Sequence, residues 1–288
     1  MLRNNACLDL FDSDFKKLTM PGHSDRLQFA LEMAAKASKL ILGFYQVDGV
    51  LVESKSDESP VTAADKGAEL LMRQLLSEQF PKDGVLGEEF DDVPSQSGYR
   101  WILDPIDGTK AFIHGVPLFG TLIGVEFEGR MVAGVCRFPA LHEVVYAADG
   151  AGCWWQIGDQ PARRTFVSSV TTLDKSRMMF TEPTHWKSTN RFDVIVQVMD
   201  KVRIARGWGD CYGHVMVATG RAELAIDPLM SPWDIAALIP ILREAGGCCT
   251  DWKGEETVSG GDGVSFVPAL RASVIEILRH APALVPKS

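Results

Sequence analysis

Apolar residues recur at helical spacing near the start of the chain and again soon after. The first stripe predicts a helix from Ser24, which could cap it, to about Tyr45. This stripe consists of Leu27, Ala30, Leu31, Ala34, Ala37, Leu40, Ile41 and Phe44. A second helix is predicted to begin at Thr62. Its core-facing residues are expected to be Leu70, Leu71 and Leu75.

Short apolar segments separated by turn residues predict a mainly antiparallel sheet after these helices. The segments are GVLG, YRWILD, LFGTLIGVEF, MVAGVCRF and EVVYAA, and Glu128-Gly129 predicts a hairpin turn between two of them. After Gly152, strands (RMMFTE, RAELAID) alternate with helices (RFDVIVQVMDKV, PWDIAALIPILREAGG), the last ending at a glycine cap. We therefore predict layered α and β structure, with a lead-in of residues 1–22, an N-terminal lobe of residues 23–150 and a C-terminal lobe of residues 151–288.

Composition agrees with a globular protein of one large or two fused domains. The chain has 288 residues, of which 46% are hydrophobic and 23% charged. A formal net charge of −9 argues against nucleic acid as a partner. The chain has no phosphate-binding G-x-x-x-x-G-K-[ST] loop, signal-peptide pattern or run of ~20 apolar residues. Six cysteines without metal-ligand spacing complete the expectation of a cytoplasmic protein with reduced thiols and no membrane partner.

Two pairs of carboxylates follow apolar strands, and this is the first sign of chemistry. In WILDPIDGTKAF, Asp104 and Asp107 flank a turn that begins with Pro105, and LGEEF places Glu88-Glu89 after another strand. Carboxylates three residues apart across a turn can converge, but they repel unless a cation lies between them. Oxygen ligands without histidine or cysteine indicate Mg²⁺ or Mn²⁺ rather than zinc. On local chemistry alone, a turn with solvated acids remains the alternative.

The segments GEE, WILDPIDGTKAF and WDIAALIPILREAGG, in this order, resemble the inositol monophosphatase family of Mg²⁺-dependent, lithium-sensitive phosphatases. The resemblance extends from about Leu27 to about Leu278. It implies a five-layer α-β-α-β-α sandwich and metal-assisted attack of water on a phosphate monoester. It also implies two or three Mg²⁺ ions per site, with Mn²⁺ as a possible substitute, a small phosphate ester as substrate, and a homodimer.

The resemblance also implies roles for individual residues. The metal ligands would be Glu88, Asp104, Asp107, Asp234 and the backbone carbonyl of Ile106. Gly108 and Thr109 resemble the phosphate-binding start of a helix, where backbone N–H groups face the anion. Asp65 would hydrogen-bond Thr109, and together with Glu88 they would position and deprotonate the attacking water.

Several of these residues also have a purely structural explanation. Thr62 and Asp65 form the T-x-x-D pattern of a capping box, and Asp234 is an acid at a predicted helix start. Asp210 could cap the helix that follows it. Lys55 lies near a lysine of the family but one residue out of register with VTAAD.

The substrate is suggested by the segment that precedes PWDI. Asp227 falls where the family places an acidic substrate contact, and Asp210 falls where a small neutral residue is usual. Two acids favour an alcohol that carries positive charge. The segments GDCYGH, VATGRAEL, DPLMSPWDIAALIPI and GVPLFGTLIG resemble the histidinol-phosphatase branch of the family, which implies L-histidinol phosphate. Trp208 could pack against an imidazole, and His214 is expected to be packed in its helix.

Two alternatives remain open at the level of sequence. One is a phosphatase of the same family that acts on inositol 1-phosphate or another small monoester. The other is a metal-binding or interaction protein with a degenerate active site. A comparison of kcat/KM on L-histidinol phosphate and inositol 1-phosphate would distinguish the first alternative. The presence of every expected metal ligand argues against the second.

Overall fold

The structure of the chain is a computed structural model that describes residues 23–46, 52–54 and 60–284. For residues 52–54 and 60–62 only the backbone is described. The predicted lead-in, Lys55 and the proposed capping side chain of Thr62 therefore lie outside the described part.

Helices and strands of the described residues follow the predicted order. The helices are α1 (Ser24–Leu42), α2 (Ala63–Gln79), α3 (Thr109–Ile113), α4 (Pro183–Ser188), α5 (Phe192–Met199), α6 (Asp210–Ala218), α7 (Pro232–Ala236), α8 (Leu238–Glu244) and α9 (Arg271–Leu278). The first strands are β1 (Val52–Ser54), β2 (Pro60–Thr62), β3 (Gly84–Gly87), β4 (Tyr99–Asp107), β5 (Gly120–Phe127), β6 (Arg130–Phe138), β7 (Glu143–Ala148), β8 (Gly152–Ile157) and β9 (Arg163–Arg164). The later strands are β10 (Arg177–Phe180), β11 (Ile204–Arg206), β12 (Leu224–Asp227), β13 (Cys248–Thr250) and β14 (Gly263–Phe266).

Two large sheets organise the described residues, and β1 and β2 form a separate antiparallel pair. The first contains β3 to β9 in sequence order, with β3 parallel to β4 and every other neighbour antiparallel. The second has the order β11-β10-β12-β14-β13 and is mixed, since β10 is parallel to both β11 and β12. Strands β8 and β9 follow Gly150 and belong to the first sheet. The lobe boundary at Gly150 stays a prediction.

Helices separate and cover the two sheets, which gives five layers. Helices α1 and α2 pack on the outer face of the first sheet, α6 to α8 lie between the sheets, and α5 and α9 cover the second sheet. Three hydrophobic clusters fill the spaces between successive layers. The predicted α-β-α-β-α sandwich is confirmed.

The two predicted N-terminal helices form, with differences at their ends and faces. Helix α1 ends at Leu42 rather than near Tyr45, and Ser24 is its first residue, not its cap. In α2 the predicted core residue Leu70 is 59% exposed. The buried face instead consists of Ala64, Asp65, Ala68, Glu69, Met72 and Leu76. The prediction placed the leucines in the core, whereas the helix buries the face that carries Asp65 and Glu69.

The segment PWDIAALIPILREAGG forms two helices, not one. The break at Ala237 has a local cause, since Pro240 has no N–H to donate to the carbonyl of Ala236. The predicted glycine cap is confirmed at Gly246, which has a φ of +80°. Its N–H donates to Arg243 and that of the next residue to Leu242, which closes the last turn.

Two findings bear on the predicted environment. The five cysteines of the described residues are all free thiols. Among those residues, no helix combines the length and apolar character that a membrane span needs. The predicted cytoplasmic location stays a prediction.

Candidate active site

A β-bulge brings the two aspartates of the DPIDGT segment to one side of the first sheet. Asp104 pairs with Leu122 and Asp107 with Gly120, so three residues of β4 advance against two of β5. In a regular strand, residues three apart face opposite sides, and the extra residue of the bulge restores a common side. Strand β4 thus continues through Pro105, contrary to the prediction that the strand stops there.

Asp234 completes a cluster with these two aspartates from more than 100 residues away in the chain. One carboxylate oxygen from each of Asp104, Asp107 and Asp234 lies within 4.8 Å of the other two. Asp234 is at the third position of α7 and accepts the N–H of Ser231 at 2.7 Å, which completes a capping box. Asp234 is therefore an acid at a helix start, as the sequence predicted, and it also has a place in the acidic cluster.

The electrostatics of this cluster favour a cation. Asp104 is 1% exposed, and its Oδ1 is buried without a hydrogen-bond partner. Burial raises the pKa of Asp104 well above its usual value, and the charges of Glu88, Asp107 and Asp234 add to this. Burial likewise raises the pKa of Asp234 to about 7. A buried acceptor without a donor, among all-oxygen ligands, fits a hard divalent cation.

Glu88 approaches this cluster from the end of β3. Its charge acts on both Asp104 and Asp234, although it is not one of the three residues that share the 4.8 Å separation. The loop after it is held by Glu69 of α2, which is completely buried. Glu69 Oε2 accepts the N–H of Glu89 at 2.8 Å, and its Oε1 accepts from Arg73 Nε at 2.7 Å. Arg73 in turn donates to the carbonyls of Phe90 and Asp91, both at 2.9 Å.

Glu69→Gln is therefore expected to impair activity without touching the cluster. The amide cannot accept from both donors as the carboxylate does, so one charge-assisted bond worth about 1.5–3 kcal/mol is lost. We expect about a 10-fold lower kcat/KM and a higher metal-ion concentration at half-maximal activity, measured with Mg²⁺. Glu78→Gln, on an exposed turn of the same helix, is the matched control. An unchanged Mg²⁺ requirement would argue against a role for Glu69 in placing Glu88.

The segment after the bulge turns at Gly108 and begins a short helix. Gly108 has a φ of +82°, and α3 begins at Thr109. The Thr109 hydroxyl donates to the Ile106 carbonyl at 3.1 Å. A Cβ at Gly108 would lie 3.1 Å from Asp210 Oδ2 and from the Leu118 carbonyl, so both the close contacts and the positive φ favour glycine here.

Helix α6 begins directly beside the cluster. The N–H of Cys211 donates to Asp107 Oδ2 at 2.6 Å, and Asp210 precedes it with a φ of +51°. Burial, and then the charges of Asp227 and Glu182, raise the pKa of Asp210 to about 7. Trp208, just before, is 46% exposed and free to contact a ligand.

Asp227 and His214 lie deeper than Asp210. Asp227 is 5% exposed; its Oδ1 accepts the Thr181 N–H at 3.0 Å, and its Oδ2 lies 2.9 Å from His214 Nε2. His214 is 1% exposed, which confirms that it is packed in its helix. Each oxygen of Asp227 therefore has a partner inside the protein.

Two residues near the site were not identified from the sequence: Glu182 at its rim and the buried Glu69. Glu182 follows β10, and its Oε1 lies 2.8 Å from Lys110 Nζ on α3, so the pair connects the two halves of the site. Ligands of layered α/β proteins bind beyond the carboxyl ends of parallel strands, and Glu182 stands at such an end. The position of Glu69 could have been predicted, because it lies four residues after Asp65 and therefore on the same face of α2.

In metal-free protein the site predicts a characteristic pH dependence of stability. Asp210 and Asp234 have pKa values of about 7 against an ordinary 3.8, so the folded chain binds more protons than the unfolded chain. Their contribution is complete below pH 3.8 and is lost as pH rises through about 7. We expect the Tm in EDTA to fall from pH 5 to pH 7 and saturating Mg²⁺ to oppose that fall. A Tm in EDTA that rises over this range would contradict the site's electrostatics.

Comparisons with known proteins agree with this geometry. The model of the inositol monophosphatase family matches residues 23–282. A histidinol-phosphatase of Chlorobaculum parvum is 48% identical over 238 residues, which cover 83% of this chain and 90% of that protein. A histidinol-phosphatase of Mycobacterium tuberculosis is 36% identical over 251 residues, or 87% and 96% of the two chains.

Solved structures show the same fold. The extragenic suppressor protein suhB from Bartonella henselae superimposes with a TM-score of 0.81 at 29% identity, covering 89% of this chain and 99% of that one. An IMPase from Thermotoga maritima gives a TM-score of 0.78 at 27% identity, with 88% and 97% covered.

The fold, the acidic cluster and these relatives define a phosphoric monoester hydrolase. The chain belongs to the inositol monophosphatase family, as the sequence resemblance predicted, and the match to histidinol-phosphatases confirms the predicted branch. The family is metal-dependent, and the chemistry of the Asp104, Asp107 and Asp234 donors fits that requirement.

Proposed function

We propose that this chain is a Mg²⁺-dependent histidinol-phosphatase of histidine biosynthesis, which converts L-histidinol phosphate and water to L-histidinol and phosphate. The observation that carries the proposal is Asp210, an acid placed beside Gly108, at which we also propose that phosphate binds. A carboxylate at this position suits a leaving alcohol that bears an ammonium group. The names of the two relatives above support the same substrate.

The residues around the cluster have distinct parts in this proposal. Asp104, Asp107 and Asp234 would hold Mg²⁺ together with Glu88 and the carbonyl of Ile106. Bound Mg²⁺, two or three ions or Mn²⁺ in their place, would neutralise phosphate charge and make water more acidic. The protein's own side chains and backbone N–H groups would orient the water, accept its proton and bind the phosphate.

Proton transfer and phosphate binding fall to neighbouring residues. Thr109 and Asp65 would orient the attacking water with Glu88, which would accept its proton. The backbone N–H groups of Gly108 and Thr109 would receive phosphate oxygens. A homodimer in the cytoplasm is the proposed setting of the reaction.

Substrate comparison tests the proposal. Phosphate release in the presence of Mg²⁺ is measured with L-histidinol phosphate and with inositol 1-phosphate, and kcat/KM is compared. We expect histidinol phosphate to be preferred by at least about 10-fold, the value of one charge-assisted hydrogen bond. A preference for inositol 1-phosphate would leave a phosphatase of this family but refute the proposed substrate. EDTA should abolish activity and Mg²⁺ should restore it; activity that survives EDTA would refute the metal dependence.

A further inference from the structure

An ion pair spans the rim of the candidate active site, between α3 and the segment that follows β10. Lys110 Nζ on α3 lies 2.8 Å from Oε1 of Glu182, the residue immediately before α4. The side chain of Lys110 is 53% exposed and that of Glu182 is 29% exposed. Ion pairs between groups this accessible to water contribute little to stability, because water and salt screen their attraction. A cationic ligand could therefore replace Lys110 at Glu182 without loss of the fold.

Glu182 is held beside Asp210 through its neighbour in the chain. The hydroxyl of Thr181 accepts the N–H of Asp210 at 3.1 Å. Gly209 packs so closely on this segment that a Cβ there would lie 2.5 Å from Thr181 Cα. The two segments that carry Glu182 and Asp210 are therefore in direct contact. The charges of Glu182 and Lys110 both act on Asp210, in opposite directions.

The two acids stand in different relations to the segment at which we propose that phosphate binds. Asp210 Oδ2 lies directly beside Gly108, since a Cβ there would be 3.1 Å away. Glu182 is connected to α3 only through the full length of the Lys110 side chain. The rim thus presents one carboxylate next to the proposed phosphate position and a second carboxylate that already holds a cation.

We infer that Glu182 is a specificity-determining residue that binds the imidazole of the substrate, and that Lys110 occupies this carboxylate until the imidazole replaces it. The inference rests on the proposed function and extends the cation recognition proposed for Asp210. L-Histidinol phosphate carries an ammonium group on the carbon next to the ester CH₂ group, and an imidazole one carbon further away. The ammonium group, nearer the phosphate, suits Asp210. The imidazole donates an N–H whether it is charged or neutral, and this donor suits Glu182.

Glu182→Gln is the first test, on two substrates that differ only in the ring. L-Alaninol phosphate keeps the ester and the ammonium group of L-histidinol phosphate but has a methyl group in place of the imidazolylmethyl group. Glutamine keeps an acceptor and loses the charge, so the kcat/KM ratio of L-histidinol phosphate to L-alaninol phosphate should fall about 10-fold. A purely structural ion pair would lower both values equally and leave the ratio unchanged.

Lys110→Met should change the same ratio in the opposite direction. The variant removes the cation that competes for Glu182, so the ratio should rise about 2- to 5-fold, the range of an exposed ion pair. Any lost attraction for the phosphate affects both substrates and cancels in the ratio. In the Glu182→Gln background, Lys110→Met should leave the ratio unchanged. Lys175→Met is the matched control, since Lys175 is exposed just before β10, at the opposite end of that strand from Glu182.

Failure of this inference is distinguishable from failure of the proposed function. If the wild-type protein does not hydrolyse L-histidinol phosphate, the proposed substrate fails, and inhibition of inositol 1-phosphate turnover by L-histidinol and by L-alaninol is measured instead. Stronger inhibition by L-histidinol that is lost in Glu182→Gln would support the role of Glu182, and equal inhibition by both alcohols would overturn it. A ratio that is unchanged in Glu182→Gln, or that falls in Lys110→Met, would also overturn the inference.

Discussion

Asp104→Asn is expected to abolish metal-dependent phosphatase activity while the fold remains intact. The substitution removes one charge from three carboxylates whose nearest oxygens lie within 4.8 Å of one another. A metal ion contributes several kcal/mol of charge stabilisation, so we expect kcat/KM to fall on the order of 10³-fold. Phosphate release at saturating Mg²⁺ measures the loss.

The same variant should be at least as stable as the unmodified chain when metal is removed. Burial and the neighbouring acids raise the pKa of Asp104 well above its usual value, so the fold disfavours its charged form. The neutral amide removes that cost at pH 7–8, and the Tm in EDTA should not fall. Asp159→Asn, in an exposed turn, is the control. Activity near the wild-type level in Asp104→Asn would refute the assignment of the cluster as the metal site.

Asp210→Asn is expected to reduce kcat/KM for L-histidinol phosphate by about 10- to 100-fold, which corresponds to one charge-assisted hydrogen bond. Turnover of inositol 1-phosphate should change much less, because a polyol gains little from the charge. Asparagine suits this position, since it tolerates the φ of +51° better than other residues do. The backbone that donates to Thr181 and Asp107 is therefore kept.

Asp210→Ala is the informative comparison. Alanine is strained at this φ, so Asp210→Ala should lower kcat/KM for both substrates and also weaken Mg²⁺ binding. Equal losses on both substrates in Asp210→Asn would mean that the charge of this residue does not determine specificity.

Local patterns predicted the layered fold well because each element depends mainly on its own apolar spacing. The hairpin at Glu128-Gly129 is confirmed, with φ values of +49° and +84°. The errors arose where tertiary packing overrides that spacing. Leu70 is exposed because α2 turns Asp65 and Glu69 inward. The spacing of apolar residues cannot predict that an acidic residue is buried.

The sequence by itself determined the family, the order of the layers and the acids of the DPIDGT and PWDI segments, because short motifs and periodicities are properties of neighbouring residues. Only the tertiary structure decided how these acids are used. The bulge in β4 turned Asp104 and Asp107 to one side, and the packing of α7 on the first sheet brought Asp234 to them. The packing of α6 on the second sheet placed His214 against Asp227. Whether a carboxylate faces a ligand or a buried donor depends on contacts between distant segments, and those exist only in the folded chain.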